Sequence, residues 1–281
     1  MGKPVELIAS YWTIAGVFPG RAVEYSRFEF QDRVQALAEA GFKGLGIWHA
    51  DLEHILERRT LADMKRILDD NGMKHVEVEF LTDWFLAGEK KKHSDERRKM
   101  LLTAAETLHA KHVKVGDFNR ETCPFDRLVE SFAGLCADAA KHGTSIAFEP
   151  MGAAVVSTLE DSLRMASEAG VNNGGIMLDI WHVVDRGMSL EEVSRIAPRF
   201  LMGVELNDAR MDGSRIRTDD ANPRTFCGGG DFDISGFVRA VKKSGYDGPW
   251  AVEVVGEELL TMPLRELADR AYRTTAAQLD A

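Results

Sequence analysis

Ser145-Ile146-Ala147-Phe148-Glu149-Pro150 opens a passage that runs through an amphipathic stretch from Thr158 to Glu168 and closes on Gly175-Ile176-Met177-Leu178-Asp179. The two end runs are short, apolar and continuous, which is how strands buried on both faces read. The stretch between them has helical spacing and starts at a threonine that can cap it. Strand, helix, strand means two parallel strands, because a parallel neighbour is reached only by a crossover.

The same pattern extends in both directions. Upstream lie Val5-Glu6-Leu7-Ile8-Ala9, Gly44-Leu45-Gly46-Ile47-Trp48, His75-Val76-Glu77-Val78-Glu79-Phe80 and His112-Val113-Lys114-Val115-Gly116. Downstream lie Leu201-Met202-Gly203-Val204-Glu205 and Trp250-Ala251-Val252-Glu253-Val254. Between these runs the spacing predicts helices over Gln31–Ala40, Thr60–Asn71, Ser94–Leu108, Phe125–Lys141, Leu190–Ile196, Ile234–Lys243 and Pro263–Leu279. Gly41 is placed to end the first of them, and Thr60 to cap the second. Eight strand–helix units in 281 residues favour a closed (β/α)8 barrel over an open sheet. No Pro/Ser-rich linker or low-complexity segment interrupts the series, so one α/β domain over residues 1–281 is expected.

Composition narrows the function classes. The formal net charge is −10, so polyanions such as nucleic acid or an anionic membrane are repelled on average. The basic stretch Glu89-Lys90-Lys91-Lys92-His93 reads as a solvated loop or helix start. Cys123, Cys136 and Cys227 are scattered and odd in number, which argues for a reducing compartment and against a thiolate zinc site. Neither a signal peptide nor an apolar run long enough to cross a bilayer is visible, so a cytoplasmic location is expected.

The chemistry is written at the strand ends. Glu149 closes the fifth run and Asp179 the sixth, while Glu205 and Glu253 lie late in the seventh and eighth. In a parallel barrel all carboxyl ends of the strands meet at one mouth, where the chemistry of this architecture sits. Converging carboxylates raise one another's pKa, and a divalent cation removes that repulsion. An all-oxygen donor set favours hard Mn2+ or Mg2+ over Zn2+.

At these residues the sequence resembles the xylose-isomerase-like superfamily of sugar isomerases and epimerases, which includes D-tagatose 3-epimerase, hydroxypyruvate isomerase and inosose dehydratase. The likeness is carried by Phe148-Glu149-Pro150, by Asp179-Ile180-Trp181-His182, by Gly228-Gly229-Gly230-Asp231-Phe232-Asp233, and by Gly245-Tyr246-Asp247-Gly248-Pro249 leading to Glu253. It implies metal ligation by Glu149, Asp179, Glu205 and Glu253, and a substrate contact from His182. The chain departs from the family on the seventh strand, where a histidine is usual and Glu205-Leu206-Asn207-Asp208 stands here, so Glu205 is the least supported ligand.

The resemblance implies an isomerase or epimerase acting on a ketose or related hydroxyketone, with Glu149 and Glu253 removing and returning a proton through an enediolate. The same intermediate can expel a leaving group, so a dehydratase on an inosose or 3-dehydroshikimate type of substrate is the alternative. A non-catalytic sugar-binding subunit is a remote third. An abasic-site endonuclease shares the barrel, but it needs more histidines and a basic face. Further substrate contacts are expected from Arg217 or Arg224 in the loop after the seventh strand, from Asn207, from Glu79, and from Trp12 and His49 at early strand ends. The alternative for Glu79 is an ion pair with Lys114 on the next strand. The glycine run 228–230 lacks the spacing of a dinucleotide fingerprint and reads as a mobile turn. Barrels of this family often pair, so a homo-oligomer is an expectation the family brings.

Overall fold

A computed structural model describes residues 5–118, 121–152, 154–217 and 223–279. Eight parallel strands close into a barrel in chain order, with the first strand hydrogen-bonded to both the second and the eighth. They are Leu7–Ala9, Gly44–Trp48, His75–Leu81, His112–Val115, Ser145–Phe148, Gly174–Asp179, Leu201–Leu206 and Trp250–Val252. All eight expected runs are strands, with ends trimmed or extended by one or two residues. Glu149 and Glu253 fall just past their strands yet keep ladder-type bonds, Glu149 N to Val115 O at 2.9 Å and Glu253 N to Leu206 O at 3.0 Å. Their backbones are therefore as fixed as the barrel itself.

The expected helices form the outer layer, and local chemistry sets their ends. Thr60 and Asp63 make a reciprocal capping box at the start of Leu61–Asp70, satisfying two N–H groups the helix cannot pair internally. Gly41, at a φ of 113°, ends Phe30–Ala40 in a left-handed conformation that a side chain would resist. Apolar faces such as Leu128, Phe132, Leu135 and Cys136 of Phe125–Lys141 are buried against the barrel. The long fourth-strand crossover helix spans Gly88–Leu108, so the basic stretch 89–93 lies within its first turns. Its lysines pair with acids rather than forming a free cationic patch, Lys91 with Asp95 at 2.7 Å and Lys92 with Glu89 at 3.6 Å.

Three short helices were not evident from periodicity: Tyr11–Ala15, His49–Leu56 and Ile180–Asp185. Each starts within two residues of a strand end, so each turns its first residues across the mouth. A two-stranded hairpin, Met211–Asp212 with Arg215–Ile216, follows the seventh strand. The glycine run 228–230 is a turn held by Asp208, whose carboxylate accepts from Gly228 N at 2.9 Å and Phe232 N at 3.0 Å. The run is a turn, as expected, and those bonds tie it to the end of the seventh strand. Among the described residues no helix is long and apolar enough to cross a membrane.

Candidate metal centre at the barrel mouth

The barrel register places the four acidic strand ends side by side. Asp179 and Glu205 are direct partners across the sixth and seventh strands, and Glu205 pairs with Ala251, two residues before Glu253. Carboxylate oxygens of Glu149, Asp179, Glu205 and Glu253 all lie within 4.8 Å of one another, and all four residues are buried. His182 groups with Glu149 and Asp179 in the same way.

Asp179 and Glu205 are hydrogen-bonded through one carboxylate oxygen each. Asp179 caps the helix Ile180–Asp185, its Oδ1 accepting from Trp181 N at 2.9 Å and from Asn207 Nδ2 at 2.7 Å. Glu205 is fully buried; its Oε1 accepts from Ser10 Oγ at 2.6 Å and from Lys114 Nζ at 2.7 Å. Its Oε2 is buried with no hydrogen-bond partner, and Asp179 Oδ2 likewise lacks one of proper geometry. Buried polar atoms are seldom left so; Asp179 Oδ2 keeps an ion pair with Arg224, but the orphaned Oε2 of Glu205 within an acidic cluster is what a cation satisfies. The donor set therefore fits a divalent ion.

The chain also supplies its own cations. Lys114 Nζ lies 2.7 Å from Glu205, 3.0 Å from Glu79, 3.4 Å from Glu253 and 3.9 Å from Glu149. Arg224 Nη1 bridges Asp179 Oδ2 at 2.9 Å and Glu253 Oε2. Burial favours the neutral form of a lysine, but the surrounding carboxylates outweigh it and hold Lys114 well above its usual pKa. Burial, then the charge of Glu253, pushes Glu205 well up, against the pull of Lys114. Burial likewise raises Glu79 to about 7 despite Lys114 beside it. Glu149 goes the other way: burial raises it, but Lys114 and a bond from His182 prevail and bring it down to about 2. Glu149 is thus the carboxylate held ionised.

Above the cluster opens a cavity of about 700 Å³, with Glu79, Lys114, Glu149, His182, Arg224 and Glu253 among the residues at its base. One wall is a chain of aromatic rings. Trp12 and Trp48 lie 4.8 Å apart, Trp48 and Phe80 stack at 6.0 Å, and Phe80 meets Phe118 at 5.2 Å. Gly46 leaves room for Glu79, since a Cβ there would meet its Oε1 at 2.6 Å.

The structure brings Trp12, Glu79, His182 and Arg224 to this cavity. His182 Nε2 stands 3.4 Å from Glu149 Oε1. Three other expected contacts are placed elsewhere. His49 is not among the lining residues; it begins the helix behind Trp48, 4.6 Å from that ring, and burial brings its pKa down to about 3. Asn207 is fully buried, is not among the residues lining the cavity, and donates to Asp179 Oδ1 at 2.7 Å. Arg217 is exposed at the end of the hairpin and does not line the cavity. Lys114 and Ser10 were missed as site residues. Lys114 did leave a trace: it stands between Val113 and Val115, a charged residue in an otherwise apolar run.

A closed parallel barrel with a buried acidic cluster beneath an aromatic-walled cavity defines a class of barrel with a candidate cation site at its mouth. Within that class the assignment is direct: residues 34–277 match the xylose isomerase-like TIM barrel family, and the chain belongs to it. A 3-dehydroshikimate dehydratase of Pseudomonas aeruginosa is 25% identical over 250 residues, covering 86% of this chain and 39% of that protein. The chain thus spans well under half the length of that relative. Among solved structures, an IOLI protein with a bound zinc atom superposes with a TM-score of 0.82 at 18% identity, covering 98% of each chain. A D-allulose 3-epimerase from Methylomonas sp. gives 0.75 at 18% identity, covering 99% of this chain and all (100%) of that one. At such identities these two structures speak to the fold alone.

Proposed function

We propose that the chain is a divalent-metal-dependent lyase that removes the proton beside a carbonyl in a small polyhydroxylated ketone and expels water from the adjoining carbon. The observation that carries this reading is the inequality of the two glutamates able to act as bases. Both oxygens of Glu253 face fixed cations, Oε1 toward Lys114 at 3.4 Å and Oε2 toward Arg224. Glu149 is held loosely, 3.4 Å from His182 and 3.9 Å from Lys114, and it is ionised. One free base suits elimination, which needs a single proton acceptor and a separate acid.

Glu149, Asp179, Glu205 and Glu253 would hold the ion, Mn2+ or Mg2+ by donor type. When bound, it polarises the carbonyl and acidifies the neighbouring C–H. Glu149 accepts that proton, the carbon–carbon double bond forms, and the C–O bond to the leaving hydroxyl breaks. His182 delivers the proton that lets the hydroxyl depart as water. Arg224 balances charge at the base of the site, and the Trp12–Trp48–Phe80 wall covers the apolar face of the substrate and excludes water. The dehydratase relative, at 25% identity, supports the same outcome.

A second reading, isomerase or epimerase action on a ketose, follows if Glu253 returns the proton, and its place in the same 4.8 Å cluster favours it. The Mn2+-loaded protein incubated with 3-dehydroshikimate and with a panel of ketoses separates the two. Loss of one water with a new conjugated absorbance is the expected result. Stereoisomer formation at constant mass would replace the first reading by the second. We extend the proposal to a cytoplasmic enzyme whose partner is a small molecule, in keeping with three free cysteines.

A further inference from the structure

The charge around the cluster is out of balance in a way the ligand set alone does not explain. Five buried carboxylates, Glu79, Glu149, Asp179, Glu205 and Glu253, face two buried cations of the chain, Lys114 and Arg224. Lys114 reaches four of the five, and its shortest contact, 2.7 Å, is to Glu205. That contact and Ser10 take the same oxygen, Oε1, and leave Oε2 without a partner.

We propose that Lys114 is the positioning residue and built-in counter-charge of the cation site. It fixes Oε1 of Glu205 so that the carboxylate offers a single oxygen, Oε2, to the ion. It also cancels one negative charge within the cluster, so the ion meets a field weaker by about one carboxylate. The inference rests on the metal-site reading above. The charge of Lys114 gives it the opposite signature from a mere scaffold, because Ser10 still holds Oε1 of Glu205 when Lys114 is lost. A lysine that only props up the fold weakens cation binding when it is lost. A counter-charge competes with the cation, so its loss tightens binding while unsettling the metal-free protein.

The test is a cycle of Lys114→Gln, Glu205→Gln and the double variant in the full chain, read by calorimetric Mn2+ affinity and by melting temperature without metal. Glu205→Gln is expected to weaken Mn2+ binding by about tenfold or more, and Lys114→Gln to tighten it. The double variant, with the wild-type charge, returns to within about tenfold of wild type. Without metal, Lys114→Gln lowers the melting temperature by roughly 5–10 °C in the wild-type background and by clearly less beside Glu205→Gln. If Lys114→Gln weakens Mn2+ binding, or the double variant binds no better than Glu205→Gln alone, the proposal is overturned. If the wild type takes up no Mn2+, the metal reading has failed instead. The melting cycle then still decides the pair: equal losses in both backgrounds would end it.

Discussion

The two halves of the barrel mouth do different work. Strands five to eight supply Glu149, Asp179, Glu205 and Glu253, one acid each, with carboxylate oxygens within 4.8 Å of one another. Strands one to four supply Ser10, Glu79 and Lys114, together with the ring chain Trp12, Trp48, Phe80 and Phe118. The first group gathers negative charge at one point, where the proposed cation would sit. The second restrains that charge and shapes the space above it. The proposed chemistry needs both, because an acidic cluster with neither counter-charge nor walls would repel itself and stay wet.

The largest expected effect falls on the acidic half. Glu149→Gln removes the free base while leaving an oxygen for the ion, so turnover, or solvent deuterium uptake at the substrate carbon, should fall by about 10²–10⁴-fold. Mn2+ affinity should change far less. Similar losses from Glu253→Gln, with Mn2+ still bound, would instead make the two glutamates equals and favour the epimerase reading.

An intermediate effect probes the restraint supplied by the other half. Glu79 has a folded pKa of about 7 against an ordinary 4.5, so the folded chain binds the extra proton between those values. Its contribution to stability is complete below about pH 4.5 and is lost as pH rises to about 7, on the order of 3 kcal/mol across that window. The raised Glu205 acts with the same sign. Metal-free protein should therefore lose stability in denaturant titrations as pH climbs from about 5 to 7, and Glu79→Gln should lose less. An unchanged slope in the variant would show that Glu79 is ionised throughout.

The smallest effect tests the wall. Trp48→Ala should raise KM by about tenfold, from lost contact with the substrate face, with Mn2+ affinity unaltered. A matching fall in Mn2+ affinity would mean that the rings hold the cluster as well as the substrate.

The two halves also differed in how legible they were. The barrel could be read because eight apolar runs recur between amphipathic stretches, and period and order suffice for that. The four acids could be read because each ends an apolar run, and the barrel forces such ends together. Lys114 was seen only as a possible partner of Glu79, since pairwise register does not show that one ammonium reaches across the barrel to Glu205 and Glu253. Asn207 was assigned to substrate because its residue type fits that role. Its fully buried side chain bonded to Asp179 is a fact of packing that no spacing displays. The short helices escaped for a related reason: five to eight residues hold too few turns for a period to register. Arg217 and Arg224 were equivalent in sequence, and only the fold turns one inward and leaves the other on the hairpin.

Anomalous diffraction from a crystal grown with Mn2+ tests the central claim most directly. One peak is expected at the mouth, bonded to oxygens of Glu149, Asp179, Glu205 and Glu253, with Glu205 contributing Oε2. A map with no peak there, and with Lys114 and Arg224 alone compensating the four carboxylates in saturating Mn2+, would contradict it.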